Sequence, residues 1–450
     1  MKIIVPHDVI SIATILKKAG YRCYMVGGAI RDQLLGLTVK DYDLCTDALP
    51  EKIMTLFHRV IPTGIKHGTV TILYKRTSYE ITTFRIDGKY SDGRRPDQIS
   101  YTDDLHEDLI RRDFTINSIA YDVLNKKLID PNNGQSDLEK KRIHAIGIPE
   151  ERFREDGLRS IRACRFASQL NFFIEAKTLE GIKHCLFNIS ELSKERIYDE
   201  LIKILQTDSP SKSFELFKES GILPLILPEL SDCIGVDQKG NHDFDVYNHL
   251  IRSCDAAPSD NVELRIAALF HDIGKPDVKE FDQNGIATFY NHETVSAQIA
   301  ERIMLRFRFP KERMNRILHL IRQHMFHYTE EWTDAAVRRF IRKVGRDQLE
   351  DLYLLREADI KGISLSEEND YRNLIHLKER VLLILEQENA FSIKDLDING
   401  YDLMKQAYIP GGPRLGSILE LLLEAVTENP KLNRKETLLK LAVSFYEKIK

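Results

Sequence analysis

Residues 26–44 read VGGAIRDQLLGLTVKDYDL, and this stretch decides the fold that we predict for the first part of the chain. Apolar residues over 21–26 predict a strand, and the pair Gly27-Gly28 predicts a tight turn into a short helix. Val39–Leu44 predicts a second strand. The stretch therefore indicates a small sheet with a glycine turn at its edge.

Two aspartates separated by one residue stand on the second predicted strand. Because side chains alternate along a strand, Asp41 and Asp43 would present their carboxylates on one face. Glu80, on a later predicted strand, could supply a third carboxylate. Hard oxygen ligands set close together suit Mg²⁺ that bridges a triphosphate. A lone D-x-D is most often a surface turn, so the neighbouring residues decide its meaning.

The glycine turn precedes the two aspartates and suits phosphate binding. At Gly27-Gly28, backbone N–H groups and the start of the helix could approach phosphate oxygens, and Arg31 would add charge-assisted hydrogen bonds. A glycine pair alone indicates only a tight turn. Followed ten residues after Arg31 by Asp41, it indicates a triphosphate site far more specifically.

Composition limits the classes of protein that fit. The chain has 450 residues, of which 42% are hydrophobic and 30% charged, which predicts two to four domains. It contains no apolar run long enough to span a membrane. Six cysteines without a C-x-x-C pair predict a reducing, cytoplasmic location. The net charge of −4 leaves nucleic-acid contacts to local basic stretches such as 142–165.

The predicted organisation is α+β, with an α/β head followed by an elongated, all-helical remainder. Residues 8–19 have a helical period closed by Gly20, and 69–74 with 79–84 read as a hairpin. Beyond Pro149 helical periods dominate. We predict four domains, with boundaries as follows: a head over 1–145, a helical neck over 146–210, a histidine-bearing helical domain over 211–385 and a helical tail over 386–450.

The ordered motifs resemble a known family. G-G-x-x-R-D followed by D-x-D is the signature of the polymerase-β-type nucleotidyltransferase head. Three further segments are similar to class II tRNA nucleotidyltransferases and bacterial poly(A) polymerases: RRDFTIN at 111–117, EDGLR at 155–159 and ERIYDEL at 195–201. The resemblance implies that Arg112, Asp113 and Asn117 engage the phosphates and ribose of a nucleotide.

The EDGLR segment predicts the choice of base. Asp156 and Arg159 stand three residues apart, so on one helix they would share a face, and an ordinary intrahelical salt bridge is the simpler interpretation. The resemblance instead implies that they select CTP or ATP without a template. It also implies nucleotide contacts for Arg162 and Arg165, and a flexible loop at 90–96 that switches from C to A addition.

The resemblance implies addition of C, C and A to the 3′ end of tRNA. The 3′-hydroxyl would attack the nucleotide α-phosphate, with Mg²⁺ held by Asp41 and Asp43. An enzyme that adds only the terminal A, and a poly(A) polymerase, share the head motifs and stay open. So do a phosphohydrolase with a nucleotide-binding head and a non-catalytic RNA-binding protein, although intact carboxylates disfavour both. The sequence leaves the oligomeric state open.

A second candidate site rests on a cluster of histidines. The segment LFHDIGKP at 269–276 resembles HD-type metal phosphohydrolases, and the order of the surrounding residues fits that family: His249, His271, Asp272, His292, His324 and Asp359. Imidazole and carboxylate ligands suit a divalent transition metal. The resemblance implies hydrolysis of phosphomonoesters or cyclic phosphates. We assign His319 and His327 structural roles.

The end of the chain is similar to the tail of enzymes that fuse such a head to an HD domain. Residues 399–404, 410–413 and Gly416 carry this resemblance, which implies a grip on the RNA arm. The sequence has Gly411-Gly412 between two prolines, where the resemblance implies a tighter Pro-Gly turn.

Overall fold

The structure is a computed structural model that describes residues 3–39, 41–88, 99–238, 244–363, 368–387 and 391–449. The chain divides into two compact units: Met1–Ser231 with Arg306–Arg308, and Asp232–Leu305 with Phe309–Lys450. The domain boundaries proposed at 145, 210 and 385 remain predictions. The α+β fold is confirmed, with a strand-bearing first part and a largely helical remainder.

The first unit contains eleven described strands and thirteen described α-helices. The strands are β1 (Cys23–Val26), β2 (Asp43–Thr46), β3 (Val60–Gly64), β4 (Thr69–Tyr74), β5 (Thr77–Thr83), β6 (Arg85–Asp87), β7 (Ile99–Tyr101), β8 (Ala120–Asp122), β9 (Lys127–Ile129), β10 (Arg142–Ile143) and β11 (Phe173–Ile174). The helices are α1 (His7–Lys18), α2 (Gly28–Leu34), α3 (Pro50–Leu56), α4 (Leu105–Ile110), α5 (Gly134–Glu139), α6 (Pro149–Glu155), α7 (Leu158–Leu170), α8 (Ala176–His184), α9 (Phe187–Ser190), α10 (Lys194–Leu205), α11 (Ser211–Ser220), α12 (Leu223–Ile226) and α13 (Pro228–Ser231).

A seven-stranded mixed sheet, in the order β3-β4-β5-β2-β1-β8-β9, carries the head. β2 pairs with β5 in parallel, and Leu44 lies opposite Ile81. The other neighbouring strands in this sheet pair antiparallel. On one face, apolar side chains from the sheet and from α4 form a buried cluster: Tyr24, Val26, Cys45, Phe84, Leu105, Leu109 and Ala120. This packing holds β1 and β2 at the centre.

The second strand differs from the prediction. It begins at Asp43 and not at Val39, so Asp41 lies just before the strand, and alternation along a strand does not describe the pair. The reason lies in the partner strand, because pairing starts at Val26 opposite Asp43. Gly27 then turns the chain away with a φ of 71°, in the left-handed region that favours glycine. Residues before Asp43 therefore have no partner on β1.

In the residues that the structure describes, the second unit is helical apart from one short hairpin. Its strands are β12 (Glu280–Phe281) and β13 (Ala287–Thr288), which pair antiparallel. Its helices are α14 (Val246–Ala256), α15 (Val262–Phe270), α16 (His292–Arg306), α17 (Lys311–Gln323), α18 (Asp334–Val344), α19 (Leu349–Gly362), α20 (Glu368–Gln387), α21 (Gly400–Gln406), α22 (Pro413–Glu428) and α23 (Lys435–Ile449). Among the described residues, no helix combines the length and apolarity that a membrane span requires.

The last three helices have an apolar core of their own. Its centre consists of Leu403 on α21, Leu422 on α22 and Leu438 on α23, which are fully buried. Arg338 on α18 caps the end of α22, since its Nε donates to the Thr427 carbonyl at 2.6 Å. These contacts explain why the segment after Asn399 folds as a small helical bundle.

Candidate functional site

A cavity of about 830 Å³ in the first unit brings the predicted head residues together. Eleven of the twelve residues predicted for the head site line this cavity: Gly28, Arg31, Asp41, Asp43, Arg112, Asp113, Asn117, Asp156, Arg159, Arg162 and Arg165. Glu80 lines a smaller cavity of about 240 Å³ that shares Asp43 with the large one. The roles of these residues stay predictions, but their proximity is a property of the fold.

Three carboxylates stand at one end of this arrangement. Asp43 opens β2, Asp41 precedes it, and Glu80 lies on β5, which is the parallel neighbour of β2. Burial raises the pKa of Asp43, Arg112 opposes that rise, and the charge of Asp41 adds to it. Burial and then the charges of Asp43 and Asp41 raise the pKa of Glu80. Mutually repelling oxygen donors of this kind fit a bound divalent cation, which would relieve the repulsion.

A buried aspartate that the sequence analysis missed holds the arginine pair of the RRDFTIN segment. Asp108 on α4 is fully buried, and its oxygens lie 2.7 Å from Nη2 of Arg111 and 3.2 Å from Nη2 of Arg112. Burial opposes ionisation, but the charges of Arg112 and Arg111 hold the pKa of Asp108 below its usual value. The only signal in the sequence is the spacing of three and four residues along one helix.

Arg112 lies beside Asp43, one of the predicted metal ligands, because Gly27 leaves room for it. A Cβ atom built on Gly27 would stand 3.4 Å from Nη1 of Arg112 and 3.7 Å from Oδ2 of Asp43. Gly27 also has the positive φ of the turn. Both constraints favour glycine, and together they put a guanidinium close to Asp43.

A chain of hydrogen bonds joins the other predicted phosphate and ribose residues. Nη1 of Arg31 donates to Oδ1 of Asn117 at 2.8 Å, and Nδ2 of Asn117 donates to Oδ1 of Asp113 at 3.0 Å. Nη2 of Arg162 lies 2.6 Å from the other oxygen of Asp113. Burial opposes ionisation of Asp113, but Arg162 and Asn117 lower its pKa to about 2. These hydrogen bonds fix four cavity-lining side chains relative to one another.

Asp156 and Arg159 line the cavity, but they do not lie on one continuous helix. Asp156 ends α6 in an extended conformation, and α7 begins at Leu158 after Gly157. The extended backbone of Asp156 separates the two helices, and Gly157 after it has no room for a side chain, because a Cβ there would lie 2.7 Å from the Asn188 carbonyl oxygen. The spacing rule for helix neighbours therefore does not apply. This result corrects the single helix face that was predicted for the two residues.

Each member of that pair has another partner. Oδ2 of Asp156 lies 2.7 Å from Nη2 of Arg196, which is on α10. Nη1 of Arg159 bonds to Glu155 at 2.5 Å, and its Nη2 donates to the Arg111 carbonyl at 3.2 Å. The sequence analysis did not single out Arg196, although it belongs to the ERIYDEL segment.

Three guanidinium groups surround one aromatic ring in the cavity wall. The ring is that of Phe166. The Cζ atom of Arg31 lies 5.0 Å from its centre, that of Arg162 lies 5.2 Å away and that of Arg165 lies 4.0 Å away. Arg165 is also held by Glu200, 2.5 Å from its Nε. Phe166 was absent from the predicted site. The loop at 90–96 lies outside the described residues.

In the second unit, all six HD-site candidates converge. Nε2 of His249 lies 3.2 Å from Nε2 of His271, and Nε2 of His292 lies 3.3 Å from Nε2 of His324. Asp272 stands between the two pairs. Its Oδ2 lies 3.5 Å and 3.4 Å from the first pair, and its Oδ1 lies 3.0 Å and 3.4 Å from the second.

Asp359 completes the first half of this cluster. Its Oδ1 lies 3.2 Å from Nε2 of His249 and 3.4 Å from Nε2 of His271. The described residues thus contain two possible ligand groups around Asp272, each with donor atoms within 4.8 Å of one another. A cavity of about 460 Å³ opens on Asp272, His292, His324 and Asp359. The half that contains His292 and His324 is therefore accessible to a small molecule.

Backbone carbonyls orient three of the four imidazoles. Nδ1 of His271 lies 2.8 Å from the Ala268 oxygen, and Nδ1 of His324 lies 2.7 Å from the Ile321 oxygen. Nδ1 of His292 has an equivalent contact with a carbonyl three residues earlier. This contact favours the tautomer with the proton on Nδ1, which leaves the Nε2 lone pair available to a metal. His319, assigned a structural role, bonds to the Val344 carbonyl at 2.7 Å.

The family comparisons agree with these two sites. The family model described as the poly A polymerase head domain matches residues 23–144. Residues 23–144 are therefore similar to that head domain. A model described as a probable RNA- and SrmB-binding site of polymerase A matches residues 171–234, and the HD domain model matches residues 240–361.

Several relatives that this chain resembles are CCA-adding enzymes. The chain is 47% identical over 207 residues to that of Lactobacillus johnsonii, which covers 46% of this chain and 52% of the relative. It is 44% identical over 207 residues to that of Geobacillus kaustophilus, with coverage of 46% and 51%. The matched segment thus spans about half the length of these relatives.

Solved structures match over nearly the full chain. The CCA-adding enzyme of Bacillus stearothermophilus in complex with CTP is 27% identical, covers 99% of both chains and has a TM-score of 0.76. The Thermotoga maritima CCA-adding enzyme complexed with tRNA is 18% identical, covers 97% of this chain and 94% of that one, and has a TM-score of 0.61. The second likeness supports the fold alone.

Proposed function

We propose that the chain adds C, C and A to the 3′ end of tRNA from CTP and ATP, and releases pyrophosphate. The observation that carries this proposal is the cavity that holds Asp41 and Asp43 together with Asp156 and a set of arginines. A metal-binding end and a base-reading end in one cavity suit an enzyme that needs no template. Because tRNA, CTP and ATP are its substrates, we place the enzyme in the cytoplasm.

Asp41, Asp43 and Glu80 would hold Mg²⁺ in the head. The ions would lower the pKa of the attacking 3′-hydroxyl and neutralise the charge of the triphosphate. The protein residues around them bind and orient the nucleotide. Arg112, held by Asp108, would neutralise phosphate charge, and Asp113 and Asn117 would orient the ribose.

Selection of C and A follows from hydrogen-bond chemistry. Cytosine and adenine each present an amino donor beside a ring-nitrogen acceptor, whereas uracil and guanine present a carbonyl acceptor beside an N–H donor. A carboxylate accepts and a guanidinium donates. Asp156 beside an arginine therefore complements C and A and opposes U and G. The same pair would serve two nucleotides with one pattern.

A single incorporation assay tests the proposal. Purified protein and Mg²⁺ would be mixed with radiolabelled CTP or ATP and with tRNA that ends before C, after CC, or complete. Addition of both nucleotides, stopping at CCA, supports the proposal. ATP use on tRNA-CC alone indicates the A-adding enzyme, and long A tails indicate a poly(A) polymerase. No incorporation with any tRNA contradicts all three.

We propose that the second unit is a metal-dependent phosphohydrolase, because four imidazole nitrogens converge on Asp272. This donor set fits divalent transition metals, which would activate water for attack on phosphorus. The positive side chains of Lys275 and Arg356, at 2.5 Å from Asp272 and 2.7 Å from Asp359, line the same cavity and would attract a phosphate group.

This second activity is tested with p-nitrophenyl phosphate and a 2′,3′-cyclic nucleotide in the presence of Mn²⁺, Co²⁺ or Ni²⁺. Hydrolysis that His271→Ala abolishes and Asp41→Ala leaves intact supports a separate centre. Absence of metal-dependent hydrolysis with all three metals contradicts it.

A further inference from the structure

The Arg112 guanidinium lies between two carboxylates but pairs with only one of them. Its Nη2 lies 3.2 Å from Oδ2 of Asp108. Its Nη1 lies near Asp43, since a Cβ atom on Gly27 would stand 3.4 Å from this nitrogen and 3.7 Å from Oδ2 of Asp43. Among the residues that the structure describes, Asp108 is the one carboxylate that forms an ion pair with Arg112. Arg112 is thus a neighbour of Asp43 and a partner of Asp108.

Asp108 is suited to hold this arginine in place. Its side chain is fully buried, and each of its oxygens accepts from a different arginine. Oδ1 accepts from Nε of Arg111 at 2.9 Å, and Oδ2 accepts from Nη2 of Arg112 at 3.2 Å. The backbone N–H of Arg85 on β6 also donates to Oδ1, at 3.4 Å. Because a carboxylate closed to water needs such donors, these contacts fix its position.

Asp43 differs from Asp108 because it has to remain available to a cation. It lines both head cavities, as Arg112 does, whereas Asp108 lines neither. Burial raises the pKa of Asp43 and the charge of Arg112 opposes that rise, so the guanidinium already acts on this carboxylate. A closer guanidinium would occupy the oxygens that Mg²⁺ requires and would repel the ion.

We infer that Asp108 is a positioning residue that holds Arg112 away from Asp43 and so keeps that carboxylate available to Mg²⁺. This inference rests on the proposed nucleotide addition, in which Asp43 is a metal ligand and Arg112 meets the triphosphate. Asp108 acts through Arg112, because it reaches neither cavity itself. Loss of its charge should therefore weaken binding of the cation but not binding of the anionic nucleotide. General damage to the head would weaken both.

The first experiment measures both ligands on the whole chain by calorimetry. Mg²⁺ would be titrated into the parent and into Asp108→Asn, with Asp41→Ala as the blank, so that only heat from the head site is counted. CTP would be titrated in the presence of a chelator. We expect Asp108→Asn to raise the Kd for Mg²⁺ by about tenfold, a modest part of what one neighbouring charge contributes, while the Kd for CTP stays the same or falls. The Mg²⁺ concentration for half-maximal CTP incorporation should rise with the Kd.

Two further variants test whether Arg112 carries the effect. Asp108→Glu keeps the charge and should recover most of the Mg²⁺ affinity. Asp108→Asn combined with Arg112→Gln restores the net charge of the parent, so its Kd for Mg²⁺ should return to within about twofold of the parent value. A double variant that binds Mg²⁺ as weakly as Asp108→Asn alone would overturn the inference.

Asp137→Asn is the matched control. Asp137 is also a buried aspartate that holds an arginine, Arg142, in the same unit, but neither residue lines the two cavities. This variant should leave the Mg²⁺ affinity unchanged, and thermal unfolding of all variants would reveal any shared loss of stability. Equal losses of Mg²⁺ and CTP affinity in Asp108→Asn, or an unchanged Kd for Mg²⁺, would also contradict the inference. A parent that binds Mg²⁺ at the head but adds no nucleotide to tRNA would instead contradict the proposed function, and the calorimetry would still decide the role of Asp108.

Discussion

The two candidate metal sites are built from different donors on different elements. In the head, the donors are carboxylates at the start of β2 and on β5, and burial with mutual repulsion raises the pKa values of Asp43 and Glu80. In the second unit, the donors are four buried imidazoles and two carboxylates that lie on helices or directly after them. There, burial opposes ionisation of Asp272, but Lys275 and His271 hold its pKa well below the usual value.

This difference indicates how much of each site exists before a cation binds. Three of the four histidines have carbonyl partners on Nδ1, so the fold fixes their orientation. The head carboxylates lie beside a guanidinium and one another, and a cation would complete their neutralisation. Oxygen donors of this kind prefer hard cations, and imidazoles prefer transition metals. We therefore expect two separate metal requirements in one chain.

The largest effects should come from removing a head carboxylate. Asp41→Ala or Asp43→Ala should abolish nucleotide incorporation, a loss of at least about a thousandfold, because the Mg²⁺ ligands are lost. Phosphatase activity should stay at the parent level in both variants, measured in the same preparation with p-nitrophenyl phosphate. Robust incorporation by both variants would contradict the assignment of the head site.

The reciprocal change tests the independence of the second unit. His271→Ala should remove metal-dependent phosphate hydrolysis, since this side chain lies within 3.5 Å of both Asp272 and Asp359. Incorporation of CTP and ATP should remain. His319→Ala is the control, because His319 contacts the Val344 carbonyl and does not line the cavity. A shared loss of both activities in His271→Ala would show that the two sites are not independent.

Metal replacement should separate the two activities without mutation. After removal of metals with a chelator, Mg²⁺ should restore incorporation and leave hydrolysis low, whereas Ni²⁺ or Mn²⁺ should restore hydrolysis. We expect a difference of about tenfold or more, given the opposite preferences of carboxylate and imidazole ligands. The result is read from the two activities measured across one metal series. Equal restoration of hydrolysis by Mg²⁺ would contradict the proposed difference.

Sequence order predicted which residues meet, but not how they pair. The candidates on RRDFTIN and EDGLR reach one cavity because each motif ends or begins a short element beside it. Asp156 and Arg159 were assigned one helix face, and the break at Gly157 separates them. Periodicity describes a continuous helix and contains no information that Asp156 adopts an extended conformation between α6 and α7.

The residues that were missed gave only weak signals in the sequence. Asp108 showed only a helical spacing to Arg111 and Arg112, and the same spacing describes many surface salt bridges. Phe166 is one apolar residue among many on α7, and its contact with Arg31 spans most of the head. In the second unit the six predicted residues do lie together. An adjacent His-Asp pair with further histidines along the chain is a more specific signal than a helical spacing.

A smaller effect is expected from Asp113, whose pKa of about 2 makes the head sensitive to acid. Because the folded pKa lies below the ordinary value of 3.8, ionised Asp113 stabilises the fold above that pH, and the contribution disappears as pH falls toward 2. The shift corresponds to about 2 kcal/mol. Asp113→Asn should therefore lower the free energy of unfolding at pH 7, with a deficit that shrinks between pH 4 and 2. Urea unfolding followed by circular dichroism measures it, and a deficit independent of pH would contradict the assignment.

We expect the smallest effect from replacing Phe166, whose ring contacts three arginines of the head. Phe166→Leu keeps an apolar side chain but removes the π face beside Arg31, Arg162 and Arg165, and partly buried cation–π contacts contribute about 1 kcal/mol. We expect KM for CTP and ATP to rise by about fivefold, in line with that energy, while kcat and phosphate hydrolysis change little. Phe166→Tyr should restore KM, since it keeps the ring.

Phe217→Leu supplies the matched comparison for Phe166→Leu, because Phe217 is a fully buried ring on α11 that does not line the cavity. It should lower the melting temperature without changing KM. If both leucine variants raise KM equally, Phe166 contributes through packing alone, and the head arginines are held by Asp113, Glu200 and Asn117 without help from the ring. If only Phe166→Leu does so, the head differs from the histidine cluster in one further respect: its binding groups are ordered by side chains, whereas most of the imidazoles are ordered by the backbone.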